Sequence, residues 1–118
     1  MEIWHNPSCS KSRTTLTALE AAGHAPTVRR YLDDPPTAPE LLEVLDRLGL
    51  EPWQLARAKE AAEAGIDFPR EAEHRQAWVE ALAAHPRAIE RPIVLTDDGS
   101  ATVTRDPESL ARVVADDR

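Results

Sequence analysis

An α/β fold with a small mixed sheet and helices on its faces follows from three features of this 118-residue chain. A strand-like segment, a helix-period segment and a second strand-like segment open it, at the spacing of a right-handed βαβ unit. A run of helix-period segments follows, and a hairpin leading into a last helix closes the chain. The order βαβ, helices, ββα predicts four strands in a single domain spanning 1–118, with an inserted helical block at about 37–86.

Each element has a local reason. Glu2-Ile3-Trp4-His5 alternates apolar and polar and stops at the turn-forming Asn6-Pro7, which makes it a strand. From Ser10 the period changes: Leu16, Leu19 and Ala22 share one helical face and Gly23 supplies the left-handed stop, so a helix is expected over about 10–22. Ala25 to Leu32 holds Val28, Tyr31 and Leu32 between Gly23 and the Asp33-Asp34-Pro35-Pro36 breaker, which gives a second strand. Thr37-Ala38-Pro39-Glu40 has the form of a capping box ahead of Leu41, Leu42, Val44, Leu45 and Leu48, and Gly49 ends that helix.

Pro52 opens a short helix carrying Trp53, Leu55 and Ala56, with Arg57 and Lys59 toward its end. Glu60 to Asp67 is alanine-rich and helical until Gly65, and a further helix from about Arg70 to Ala84 should bury Ala77, Trp78, Ala81 and Leu82. Arg91 to Thr96 returns to strand pattern, Asp97-Asp98-Gly99-Ser100 is a hairpin turn, and Ala101 to Thr104 is the returning strand. Asp106 caps the last helix, with Pro107 at its first position and Leu110, Val113 and Val114 facing inward, and the terminal Asp-Asp-Arg is expected to fray.

Composition narrows the function classes. The chain is 42% hydrophobic and 30% charged, ordinary for a globular protein, and no apolar run approaches the ~20 residues needed to cross a bilayer. Its net charge of −7 repels nucleic acid and anionic membrane, so neither is expected as a partner. One cysteine cannot close an internal disulfide, and a cytoplasmic location suits its free thiol. Of the 14 cationic side chains, 12 are arginine. Arginine offers a planar fork for oxyanions, but heavy arginine and alanine usage also reflects genomic base composition.

The cysteine sits in His5-Asn6-Pro7-Ser8-Cys9-Ser10-Lys11-Ser12-Arg13, where the first strand gives way to the first helix. A thiol there meets the positive end of the helix dipole and unsatisfied amides, which lower its pKa. Lys11, Arg13 and a protonated His5 add cationic field if the loop turns them inward. The same amides suit a small oxyanion, so one loop is able to bind an oxyanion and attack it. A structural cysteine is the competing reading, since free cysteines are often merely buried, but the helix-start position and basic neighbours favour the nucleophile. His24, His74 and His85 have no second ligand at metal spacing, and no metal site is expected.

These residues resemble the glutaredoxin-coupled arsenate reductases, the ArsC family, which are relatives of the Spx regulators. The first loop is similar to that family's H-N-P-x-C-x-x-S-R, and the likeness continues through Tyr31-Leu32, Pro35-Pro36-Thr37 and Glu40-Leu41 to Arg91-Pro92-Ile93-Val94. The resemblance implies a thioredoxin/glutaredoxin-like fold with a mixed four-stranded sheet and a helical insertion, and a cis Pro92 facing the cysteine. It implies a thiol-dependent arsenate reductase in which Cys9 attacks arsenate, assisted by His5. It also assigns Arg57, Arg91 and Arg105 to catalysis and substrate binding, and Ser12 and Arg13 to substrate binding. Arg105 aligns only with one residue inserted in the Thr102 to Thr104 strand. No bound cofactor is implied; the co-substrate is an external thiol, such as glutathione, another low-molecular-weight thiol or a redoxin, with a glutaredoxin-like protein as partner.

Two other readings stand beside it. An Spx-like regulator or adaptor would use the fold as an interaction surface, but Spx-type switching commonly uses C-x-x-C, and the fourth position here is Ser12. A related thiol-dependent reductase acting on another substrate would carry much the same loop.

Overall fold

The computed structural model describes residues 1–115 and contains two compact units, one made of Met1–Asp34 with the chain from Arg91 onward, the other of Pro35–Glu90. The second unit is slightly wider than the helical block expected at about 37–86. The terminal Asp116-Asp117-Arg118 lies outside the described residues.

In the first unit, β1 (Glu2–Trp4), β2 (Thr27–Arg29), β3 (Ile93–Leu95) and β4 (Ala101–Val103) form one sheet in the order β2-β1-β3-β4. β1 pairs parallel with β2 and antiparallel with β3, and β3 pairs antiparallel with β4. Ile3 lies opposite Val94, and both are fully buried with Leu19 and Val113 against them. The apolar faces of α1 (Ser10–Ala21) and α6 (Pro107–Val114) therefore share one core with the two central strands.

Helix α1 departs from the expected face. Leu19 is buried as its spacing predicts, but Ala22 is exposed and Leu16 only partly covered; Ser12 and Thr15 take the buried positions instead. Positions 12, 15 and 19 form a helical stripe, and its two hydroxyls are tolerated because both are bonded. Thr15 Oγ1 lies 3.0 Å from Thr104 Oγ1, which ties the helix to the end of β4. Strand β2 is shorter than the expected 25–32 segment: Tyr31 falls in a turn where the Asp33 and Asp34 amides both donate to the Arg30 carbonyl. As an edge strand it buries little, and Val28 remains 42% exposed.

The second unit begins with α2 (Ala38–Leu48). Both bonds of the expected capping box form: Thr37 Oγ1 accepts from the Glu40 amide at 3.3 Å, and Glu40 Oε1 accepts from the Thr37 amide at 2.9 Å. Gly49, at φ 69°, ends the helix in the left-handed region that its missing Cβ makes accessible. Leu41, Val44 and Leu45 of α2 pack toward α5 (Arg75–Ala84), which buries Trp78, Val79 and Leu82. The expected 70–84 helix is interrupted, with a 3₁₀ turn over Ala72–His74 before α5 begins. Trp78 donates its indole N–H to the Pro69 carbonyl at 3.0 Å and meets Trp53 and Phe68 edge to face.

The helix expected to run from Pro52 toward Lys59 is broken in two. α3 (Pro52–Leu55) ends because Ala56 turns extended and forms an antiparallel bridge with Ile89, and α4 (Ala58–Glu63) starts afresh with Arg57 as its N-cap residue. The Arg57 amide donates to the Ala88 carbonyl at 2.7 Å and the Glu90 amide to the Leu55 carbonyl at 2.8 Å. Two long-range backbone bonds thus replace helical ones at that point.

Two stability measurements test these assignments. Thr37→Ala removes a side-chain cap and should cost about 1 kcal/mol in urea unfolding, with Thr37→Ser near wild type. Thr15→Val strands the buried Thr104 hydroxyl and should cost roughly 1–3 kcal/mol, whereas Thr15→Val with Thr104→Val should recover most of that loss. A double variant no more stable than the single one would remove the claim that these hydroxyls serve each other.

Candidate functional site

Strand register decides which chemistry meets at one edge of the sheet. Trp4 pairs with Ile93, and Ile93 pairs with Val103. Because β1 and β4 both run antiparallel to β3, the residues after Trp4, before Ile93 and after Val103 all leave the sheet at the same edge. That edge carries His5 and Asn6 from β1, Pro92 and Arg91 from β3, and Thr104 and Arg105 from β4. The Thr104 amide donates to the Pro92 carbonyl at 3.1 Å, continuing the ladder by one step. The Arg91-Pro92 peptide bond is cis.

The loop leaving β1 is wound by its own polar groups. Asn6 Oδ1 accepts from the Ser8 amide at 2.9 Å, and the Asn6 carbonyl accepts from the Cys9 amide at 3.0 Å. Arg13 Nη1 donates to the Pro7 carbonyl at 2.9 Å. Ser12 is fully buried, with its hydroxyl 2.6 Å from His5 Nδ1 while accepting from the Asn6 amide at 3.0 Å. Ser12, expected at the substrate, thus has its oxygen engaged in shaping the loop.

Cys9 is a free, partly exposed thiol at the N-cap of α1. Its side chain makes no capping bond, and the first turn of α1 holds no acidic residue, so no local carboxylate offsets the helix's positive end. The cations around it are differently disposed from the sequence expectation. Burial, followed by the charges of Arg30 and Arg13, lowers the His5 pKa from its ordinary value against a smaller opposing effect of Glu20. The imidazole is therefore chiefly neutral at neutral pH, and the expected imidazolium field is not present. Lys11 Nζ donates to the Arg105 carbonyl at 3.1 Å, which holds the first turn of α1 against the β4–α6 connection.

Arg91 is partly buried, and its Nε is buried without a hydrogen-bond partner. A guanidinium N–H in that condition is costly unless an acceptor arrives. The Arg105 side chain is exposed, on the same sheet edge. Arg57 belongs to the second unit, where Glu60 and Glu90 engage its guanidinium. Among the described residues no cluster of three metal-ligating side chains occurs, and no helix is long and apolar enough to cross a membrane.

Several contributors were invisible to sequence reasoning. A cleft of about 380 Å³ opens beside the first turn of α1, with Lys11, Thr14, Thr15, Thr104 and Arg105 among its lining. Thr15 and Thr104 are 89 positions apart, and neither has a local signal that marks it as buried. Glu60 and Glu90 lack one too: only their juxtaposition around Arg57 distinguishes them from surface acids.

Comparison with known proteins gives a consistent result. The profile described as the ArsC family matches residues 4–113. The chain is 41% identical over 117 residues to an arsenate reductase of Neisseria meningitidis, covering 97% of each chain. It is 50% identical over 113 residues to an uncharacterized protein in the glnII region of Streptomyces viridochromogenes, covering 93% of this chain and 95% of that one. Among solved structures it is similar to an arsenate reductase from Vibrio cholerae, at 40% identity and a TM-score of 0.84 over 95% of both chains. The mixed α/β architecture is thus that of the thioredoxin-like fold expected from the first loop and the R-P-I-V segment.

The electrostatics of His5 can be read directly. Titration of its ring protons by NMR in the folded protein should give an apparent pKa below the unperturbed value of about 6.5, and Arg30→Ala should raise it. Since the unfolded chain then binds the proton first, the stability contributed by neutral His5 is intact above about pH 6.5 and declines as pH falls below it. A folded-state pKa at or above 6.5 would contradict the placement of those charges.

Proposed function

The chain belongs to the ArsC family, and on that footing we propose that it is an arsenate reductase working through the single thiolate of Cys9 and an external thiol. The observation that carries the proposal is the buried, partnerless Nε of Arg91 at the sheet edge that also bears the Cys9 loop. An arsenate oxygen is an acceptor of the required kind. Arg105, on the same sheet edge, is assigned to the same oxyanion, and the family resemblance gives Arg57 a substrate-binding role.

The chemistry balances as two thiols and one arsenate. The Cys9 thiolate sulfur forms a bond to arsenic and one arsenate oxygen leaves as water, taking up two protons from the medium. Guanidinium donors favour the charge that shifts among the remaining oxygens. A second thiol supplies the other half of a disulfide; the electron pair of the broken sulfur–arsenic bond stays on arsenic, which leaves as arsenite. The mixed disulfide is then reduced by a further thiol, with a glutaredoxin-like protein the proposed donor. With one cysteine in the chain, that donor is external. We assign His5, neutral and hydrogen-bonded to Ser12, the role of shaping the loop and accepting a proton rather than supplying charge, which the contact with Ser12 and the lowered pKa support. The reducing cytoplasm, which keeps such thiols available, is the proposed location. No observation favours the regulator reading, since the position of a second switching cysteine is a buried serine.

The test is arsenite formation from arsenate with glutathione and other low-molecular-weight thiols, with and without a glutaredoxin. The wild type should turn over, Cys9→Ser should fall to background, and Arg91→Ala should lose roughly 10²-fold or more in kcat/KM. A wild type that makes no arsenite with any donor sinks the proposal.

A further inference from the structure

Arg105 stands where β4 has ended and α6 has not begun, and the backbone on both sides of it is fixed. The buried Thr104 donates its amide to the Pro92 carbonyl at 3.1 Å, and Asp106 caps α6 by accepting from the Ser109 amide at 2.7 Å. Two further contacts come from α1. The buried Thr15 sets its Oγ1 3.0 Å from Thr104 Oγ1, and Lys11 Nζ donates to the carbonyl of Arg105 itself at 3.1 Å. Lys11 and Thr15 lie one turn apart on the helix that has Cys9 as its N-cap.

The helix that starts at the thiol therefore also grips residues 104 and 105, across the cleft that Lys11, Thr15, Thr104 and Arg105 line together. An arginine that binds an oxyanion gives up the freedom of a long side chain, and the loss is smaller where the backbone beneath it is already held. We infer that Thr15 and Lys11 are positioning residues that act through Arg105, keeping its backbone in place relative to the Cys9 loop so that one helix sets both the nucleophile and an oxyanion donor. The inference rests on the proposed assignment of Arg105 to arsenate. A purely structural Thr15 would change how much protein is folded and leave the substrate affinity of the folded fraction as it was.

Substitution separates the two roles. Valine keeps the shape of Thr15 and removes its hydroxyl; serine keeps the hydroxyl. In arsenate reduction by the full chain, at a temperature where circular dichroism finds every variant folded, Thr15→Val should raise KM for arsenate about 3- to 10-fold, with Thr15→Ser near wild type. Lys11→Met, which frees an exposed contact, should raise it by a smaller factor of about 2. Both effects should disappear in an Arg105→Ala background, which distinguishes them from a direct action of the Lys11 charge on arsenate or on Cys9. An unchanged KM in either variant, or increases that persist undiminished without Arg105, would overturn the inference. If the wild type makes no arsenite, the parent reading has failed, and arsenate binding by calorimetry decides the role of the two residues. Weaker binding by Thr15→Val than by wild type, with no such difference in the Arg105→Ala background, upholds it; equal binding, or none by the wild type, overturns it.

Discussion

The pairing of β1 with β3 is the constraint on which the chemistry of the first unit depends. Ile3 against Val94 buries the centre of the sheet, and side chains alternate faces along a strand, so a slip of one residue would turn that apolar pair outward. The same register fixes what leaves the sheet beyond Trp4 and ahead of Ile93. His5, the cysteine loop, Arg91 and Pro92 are carried to one edge by core packing, and β4 extends the edge to Arg105. The core thus does the positioning, and the loop needs only to hold its own shape. It does so with Asn6, Ser12 and Arg13, whose bonds stay within the loop and the first turns of α1.

Electrostatics at this edge come from fixed dipoles and arginine rather than from the overall field. The chain carries a net charge of −7, which disfavours an anion at long range. Near the helix start, a neutral His5 and an acid-free first turn leave the backbone amides, with Arg13 and Arg30 close by, as the local positive groups. A neutral imidazole can take up a proton, which an imidazolium cannot. The lowered His5 pKa therefore trades cationic field for proton-accepting capacity.

What the sequence revealed follows the range of the forces involved. The capping box at Thr37, the left-handed Gly49, the hairpin at Asp97–Ser100 and the Asp106 cap are set by neighbours within a few residues, and each stands where its pattern predicts. The cysteine loop was legible for the same reason: a lone cysteine between a strand and a helix start is a local statement. The break at Ala56 was not, because its cause is Ile89, whose backbone competes with a helix that propensity alone would continue. Nor was the polar stripe of α1. Ser12 and Thr15 look like solvent-facing residues until His5, Asn6 and Thr104 are brought against them. Arg57 was singled out by resemblance, but its two carboxylate partners are 3 and 33 positions away and become a unit only in three dimensions.

The burial of Ser12 has an evolutionary side. A loop with one thiol and a loop with two differ on paper by a single exchange of serine for cysteine at this position. Here that oxygen serves both an imidazole nitrogen and the Asn6 amide, and Ser12 itself has no exposed surface. Sulfur is larger and a much weaker hydrogen-bonding partner, so the exchange would loosen the loop in the act of adding a resolving thiol. Compensating changes around His5 and Asn6 would have to come first or together. Packing at Ser12 thus stands between this one-thiol loop and a two-thiol one, which lies more than one mutational step away.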